Sequence, residues 1–318
     1  MSNQHESCIN VPNCALAFEG GGYRESFTAG IANVLLAANL NFGYVCGVSA
    51  GASNTVDYTS RDQRRVREAF MTDNAARNAV GPRSLAHGTG WFNADALYEG
   101  AVQTGALPFD WQAFCENPAD VCIQAFAAQT GESVRFRKSD MTCAVRLMDM
   151  VRASSTLPGA MIPQPVDGTV YYDGGLGVGA GLPVCLAQDD GYQRVFFLST
   201  REKGYRKHRP GPAQLRMYKR LAGKYDPMYE ALATRWVRYN AELDRIEAQA
   251  EAGQVYVVYP NKMPVSSGTT NAALLRSTYE AGRMQAVRDM PAWLEWLYGS
   301  TDAAPELPAG WDGYVTIG

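Results

Sequence analysis

Residues 14 to 54 constrain the fold more than any other stretch of the chain. A short apolar run, Cys14 to Phe18, feeds into Glu19-Gly20-Gly21-Gly22-Tyr23-Arg24. A helical stretch, Thr28 to Leu36, follows, and a second apolar run, Tyr44-Val45-Cys46, leads straight into Gly47-Val48-Ser49-Ala50-Gly51. The pattern reads as strand, glycine turn, helix, strand, serine turn, helix. It leaves two backbone-rich turns side by side at one edge of a parallel sheet, where open α/β sheets bind ligands.

Ser49 sits in Gly-x-Ser-x-Gly, the pattern of a nucleophile elbow. A corner that tight excludes bulky neighbours, lifts the hydroxyl off the sheet and sets it at a helix N-terminus, where developing negative charge is favoured. An ordinary small-residue strand-to-helix turn gives the same letters. The first turn supplies what such a serine lacks, because consecutive glycines can aim several backbone N–H groups at one oxyanion. A phosphate-binding loop fits poorly. No Lys-Ser or Lys-Thr follows at P-loop spacing, and Glu25 stands where a dinucleotide fingerprint needs its third glycine. A purely structural glycine turn is the other reading.

Strand-like runs recur at Val121–Ala127, Ser133–Lys138, Val166–Tyr172, Arg194–Ser199 and Val255–Tyr259, with helical stretches between them. This alternation predicts an α/β fold. Ala52 to Met71 reads as one helix with Arg61, Arg64, Arg65 and Arg67 on a solvated face. Residues 78 to 93 read as an irregular loop, and Asn93 or Asp95 as the cap of a short helix through Tyr98. Met148 to Ser155 reads as a helix, Pro183 as the opening of another, and Leu274 to Tyr298 as a long closing helix interrupted near Pro291. Nothing marks a linker, so residues 1 to 318 are expected to form one domain.

The net charge of −3 argues against a nucleic-acid binder. No apolar run approaches the ~20 residues of a spanning helix. The first thirteen residues do not read as a secretory signal. Seven cysteines include no Cys-x-x-Cys pair, and Cys14, Cys46, Cys122 and Cys185 read as buried thiols of a reducing, cytoplasmic compartment. The three histidines, His5, His87 and His208, are scattered, so neither a metal nor another cofactor is expected.

Asp173 ends a strand-like run and precedes Gly174-Gly175, which puts a short acid at a loop rim, as Ser49 is. An Asp-Gly turn without chemistry is the alternative. Read together, the pieces carry a resemblance. Glu19 to Arg24, Thr28-Ala29-Gly30, Gly47 to Gly51, Ala153-Ser154-Ser155 with Pro158 following, and Asp173-Gly174-Gly175 make the chain resemble the patatin-like phospholipase family, especially its bacterial members. The resemblance spans about residues 14 to 200. It implies a three-layer α/β/α sandwich with a mostly parallel central sheet, and hydrolysis of lipid acyl esters by a Ser-Asp dyad without histidine. By motif match it implies Ser49 as nucleophile and Asp173 as base. It implies an oxyanion hole of Gly20, Gly21 and Gly22 with Arg24 beside it. Two departures stand out. Glu25 replaces the glycine that commonly follows the arginine and is expected to face solvent, and the glycine-rich loop 174–182 is long.

Two competing readings are carried forward. An α/β-hydrolase triad can be written as Ser49, Asp173, His208, although that fold usually places its elbow after several strands. A non-catalytic lipid- or acyl-binding module is the other. Residues 201 to 245 hold twelve Lys/Arg against five Asp/Glu, a local charge of +7, so the rest of the chain carries −10. With interleaved Tyr218, Tyr225, Tyr229, Trp236 and Tyr239, this segment is either a set of solvated helices or a peripheral contact with an anionic membrane surface.

Overall fold

In chain order the elements are β1 (Val11–Phe18), α1 (Glu25–Ala37), β2 (Phe42–Val48), α2 (Ala50–Thr59), α3 (Gln63–Glu68), α4 (Pro82–Ala86), α5 (Ala94–Leu97), α6 (Glu99–Gln103) and α7 (Trp111–Glu116). They continue with β3 (Asp120–Ala127), β4 (Ser133–Arg137), α8 (Ala144–Ser155), β5 (Pro165–Val166), β6 (Thr169–Asp173) and α9 (Val184–Asp189). The chain closes with β7 (Arg194–Leu198), α10 (Pro212–Ala222), α11 (Asp226–Glu251), β8 (Val255–Val258) and α12 (Ala272–Tyr298). The structure, a computed structural model, describes residues 8–71, 79–300, 304 and 307.

Eight strands form one sheet, and its central ladder β3-β2-β1-β7-β8 is parallel throughout. Its strands alternate at period two, and both alternating sets are buried. Leu16, Phe18, Val45, Phe196 and Leu198 pack with α1 and α12, whereas Ala15, Ala17, Tyr44, Cys46, Val195 and Phe197 pack with α9 and α11. That is the layered α/β/α arrangement the resemblance implies, and a parallel sheet needs both faces covered. α1 and α12 cross with backbones nearly touching. A Cβ on Gly30 would stand 2.1 Å from the Tyr279 carbonyl oxygen, and one on Gly282 would stand 2.0 Å from that of Phe27. Only glycine allows this approach.

The register brings the two motif residues together. Along β3, residues 122–126 pair with β4 on one edge. The other edge is shared end to end: β2 pairs with residues 120–124, and antiparallel β6 takes over at 125–127. β2 ends at Val48 opposite Gln124, and β6 ends at Asp173 opposite Ala125. The chain therefore delivers Ser49 and Asp173 to the same point from opposite directions. On the other side of β2, Phe18 pairs with both Gly47 and Leu198, which sets Gly20 and Thr200 level with Ser49.

Several expectations change. Ala52 to Met71 is two helices, α2 and α3, broken at Arg61, whose φ is 59°. Arg65 is not solvated. It is 5% exposed and donates from Nε to Asp57 Oδ1 at 2.6 Å, because α3 folds back along α2. Within the loop expected at 78 to 93, residue 78 lies outside the described residues, and residues 82–86 form the short helix α4. Asn93 does cap α5, accepting from Ala96 N–H. Cys14, Cys46 and Cys122 are buried and Cys185 half-buried. α12 runs unbroken through Pro291. Proline removes one helical hydrogen bond, and the flanking Met290, Trp293, Leu294 and Leu297 stay locked in the core.

Candidate active site

Ser49 has φ 60° and ψ −133°, a conformation that a side chain adopts only under constraint. The constraint is close packing of the turn. A Cβ at Gly47 would stand 2.3 Å from the Gly51 carbonyl oxygen, and one at Gly51 would stand 2.5 Å from that of Phe18. Ser49 N–H donates to Ser154 Oγ at 2.9 Å, and Ser154 Oγ donates in turn to the Gln124 carbonyl at 2.6 Å. α8 thus clips the turn to β3. The Ser49 side chain caps nothing, so its hydroxyl is free to donate elsewhere.

It donates to Asp173. Ser49 Oγ lies 2.5 Å from Asp173 Oδ2, and both residues are buried. Gly175 N–H donates to the other carboxylate oxygen, Oδ1, at 2.7 Å and fixes the rotamer. Gly174 has to be glycine, since a Cβ there would stand 1.9 Å from the Gln124 carbonyl oxygen. The loop that follows is two short 3-10 turns, Gly174–Leu176 and Val178–Gly181, held by Gln124 Nε2 donating to the Gly174 and Val178 carbonyls. Among the described residues no histidine bonds to Ser49 or Asp173. His87 and His208 are exposed, and His5 lies outside the described residues.

The glycine turn packs directly on Ser49. A Cβ at Gly20 would come within 3.1 Å of Ser49 Cβ. Its three amides are not equivalent. Gly20 N–H is engaged by the Gly181 carbonyl at 3.0 Å. Gly21 and Gly22 N–H have no partner among the described residues. Gly22 takes φ +56°, and a Cβ there would strike Ser267, while one on Gly21 would strike Thr200. Arg24 is buried, and its Nε donates to Thr200 Oγ1 at 3.4 Å, behind the turn. Burial lowers its pKa, and Arg201 lowers it further.

A cavity of about 130 Å³ opens from Ser49 and Gly22. Ser49, Ser53, Val56 and Asp57 share one face of α2, so the cavity follows the helix for about 12 Å at 1.5 Å per residue. Val56, Phe70, Leu97, Met148, Val151 and Met161 make its walls apolar, and the Asp57–Arg65 pair lies at its far end.

A family model, patatin-like phospholipase, matches residues 16–184, just over half of the chain. The chain belongs to the patatin-like phospholipase family. The family is one of lipid acyl hydrolases, and the matched span holds the glycine turn, the serine elbow and Asp173. A second model, a domain of unknown function (DUF6363), matches residues 225–298, which are α11, β8 and α12. An uncharacterized protein of Escherichia coli strain K12, YjjU, is 24% identical over 283 residues, 85% of this chain and 75% of its own. VipD from Legionella pneumophila superposes over 92% of this chain and 81% of its own at 10% identity, with a TM-score of 0.39. Among the described residues no helix is long and apolar enough to cross a membrane.

Glu25, the patatin-like motif's departure, is fully buried rather than solvated. Its Oε2 accepts from Thr28 Oγ1 and, at 2.9 Å, from Asn54 Nδ2, which ties α1 to α2 behind the elbow. Its Oε1 has no partner, and burial pushes its pKa up to about 8. Glu19 is buried too. It accepts from Ser199 Oγ, Thr200 N–H and Tyr239 Oη, and so pins the glycine turn to β7 and α11. Only the motif match pointed to Ser154. Gln124 and Thr200 carry no local signal, because they arrive from other strands, and although Gly181 and Tyr239 fall in segments the sequence singles out, nothing local assigns them to the glycine turn.

Proposed function

We propose that this patatin-like protein hydrolyses lipid acyl esters, of phospholipase A or lysophospholipase type, through a Ser49–Asp173 dyad. The observation that carries the reading is the 2.5 Å contact between Ser49 Oγ and Asp173 Oδ2 at a strained strand-to-helix corner. Serine attacks only when something accepts its proton. As Oγ attacks the ester carbonyl, the proton passes to Asp173 Oδ2. Gly21 and Gly22 N–H hold the oxyanion, and the positive end of α2 supports it. Collapse of the tetrahedral intermediate expels the alcohol, which takes its proton back from Asp173. Water then attacks the acyl-serine as Asp173 takes its proton, and collapse breaks the acyl–Oγ bond, releasing the fatty acid while Asp173 returns the proton to Ser49 Oγ. The acyl chain lies in the apolar cavity along α2. Relative to the motif expectation, Gly20 and Arg24 act as supports of the turn rather than as donors to the oxyanion.

A Ser49-Asp173-His208 triad finds no support, since both Asp173 oxygens are engaged and His208 is exposed. We place the protein in the cytoplasm, meeting an anionic membrane surface through the exposed Arg209, Arg216, Arg220 and Lys224 around α10. Turnover of an ester panel tests the dyad. Ser49→Ala and Asp173→Asn each lose at least the ~10²–10⁴-fold that a positioned base contributes, with unfolding midpoints near wild type. A folded Ser49→Ala variant that still turns over at the wild-type rate removes the proposal.

A further inference from the structure

The basic segment 201–245 does not point uniformly outward. Arg206 pairs with Asp244 and Glu247, Lys219 with Asp226, and Arg245 with Glu242. Arg201, Lys207 and Arg235 turn instead toward the catalytic loops. Arg201 lies 4.1 Å over the Tyr205 ring, and Lys207 Nζ lies 4.4 Å over the ring of Tyr239. Arg235 donates from Nε to the Ala180 carbonyl, and its Nη2 sits so close to Gly175 that a Cβ there would stand 2.4 Å away. Arg24 joins them from behind the glycine turn. Among the described residues none of the four has a carboxylate partner in an ion pair.

Glu19, which faces Arg24 and Lys207, already accepts from Ser199, Thr200 and Tyr239. Of the other acids at hand, Asp173 is engaged by Ser49 and Gly175, and Glu25 by Thr28 and Asn54. The cluster is therefore short of negative charge, in a place where solvent screens it poorly. The strain is visible in Lys207: burial first, and then the charges of Arg235, Arg201 and Arg24 against Glu19, hold its ammonium down to about 7. The ring faces support two of the cations without neutralising them. Arg201 follows β7, with β1 and its glycine turn between it and Ser49, Arg235 reaches the loop after Asp173, and none of the four lines the apolar cavity.

We propose that Arg24, Arg201, Lys207 and Arg235 form a phosphate-binding subsite beside the nucleophile, on the side of the glycine turn away from the acyl cavity. Guanidinium and ammonium groups gathered without an ion-paired carboxylate suit the oxygens of a phosphate group. A lipid phosphate whose acyl chain fills the α2 cavity would then span the glycine turn, with its ester carbonyl over Ser49. That part rests on the hydrolase reading; phosphate binding itself does not.

Two measurements on the full chain test the subsite. In the first, inorganic phosphate is compared with chloride at equal ionic strength by thermal unfolding. Phosphate raises Tm in the wild type and in Ser49→Ala, and the rise vanishes in Lys207→Met and in Arg201→Gln. Lys207→Met keeps the stem on Tyr239, and the Lys207 backbone stays bonded to Asn240 on both sides. No rise beyond chloride, or an undiminished rise in both variants, overturns the proposal. In the second, kcat/KM is compared for two esters of one acyl chain, one with a phosphate headgroup and one with uncharged glycerol. A headgroup occupant gives a preference of about tenfold or more for the phosphate ester. Lys207→Met abolishes that preference, and Lys203→Met, on the exposed part of the same loop, retains it. Phosphate binding with no preference between esters identifies the occupant as the free ion. Turnover of neither ester defeats the hydrolase reading alone, because the unfolding measurement still decides the subsite.

Discussion

Replacing Glu25 with glutamine changes how stability depends on pH, and the sign follows from its burial. An ordinary glutamate titrates near 4.5, and burial raises Glu25 to about 8 in the folded protein. Between those values the folded chain holds a proton that the unfolded chain has released. Stability contributed at this site is therefore full below about pH 4.5 and declines as pH rises toward 8. At 1.36 kcal/mol per unit, the decline is at most about 5 kcal/mol. The glutamine of Glu25→Gln has no proton to lose. Its carbonyl can take the bonds from Thr28 and Asn54 that Glu25 Oε2 takes, while its amide meets the unpartnered position of Oε1 at a fixed, pH-independent cost. The quantity to follow is thus the slope and not the offset. Urea unfolding of both proteins from pH 5 to pH 8.5 gives it, and other titrating groups cancel in the difference. Glu25→Gln gains several kcal/mol on wild type across that range. A difference that stays flat with pH refutes the reasoning.

Ser154→Ala removes the partner of Ser49 N–H and of the Gln124 carbonyl, at about 1–3 kcal/mol for each group left unmet. It lowers kcat far more than it raises KM, which steady-state kinetics beside urea unfolding reads directly. At low salt the protein floats with anionic vesicles and not with neutral ones, since each basic residue at such a surface contributes about 1 kcal/mol. Equal flotation with both removes α10 and its flanks as a membrane contact.

What the sequence made legible was local. The two turns of residues 14 to 54 declare themselves because each motif lies in a handful of neighbouring residues whose backbone allows little else. The meeting of Ser49 and Asp173 is long-range. It depends on β2 and β6 sharing one edge of β3, and strand order does not show in periodicity. Arg65 was misplaced because a run of arginines on a helix resembles a solvated face, whereas its partner Asp57 sits eight residues back on the preceding helix. Glu25 was misplaced for the same reason: a lone acid is expected in water unless its partners, here Thr28 and Asn54, are already known. Gly20 has the letters of an oxyanion donor, and only the fold reveals that Gly181 takes its N–H. The inward turn of Arg201, Lys207 and Arg235 was likewise invisible within a segment whose composition alone reads as surface.

The central claim is that Ser49 is activated by Asp173 and by no histidine. Covalent labelling with a fluorophosphonate, mapped by peptide mass and timed, tests it most directly, because the probe needs an activated serine and no knowledge of the substrate. The account predicts one adduct, on Ser49, formed at wild-type rate in His208→Ala, slowed by orders of magnitude in folded Asp173→Asn and absent from Ser49→Ala. An adduct on another serine, or an Asp173→Asn variant that labels Ser49 as fast as wild type, contradicts it.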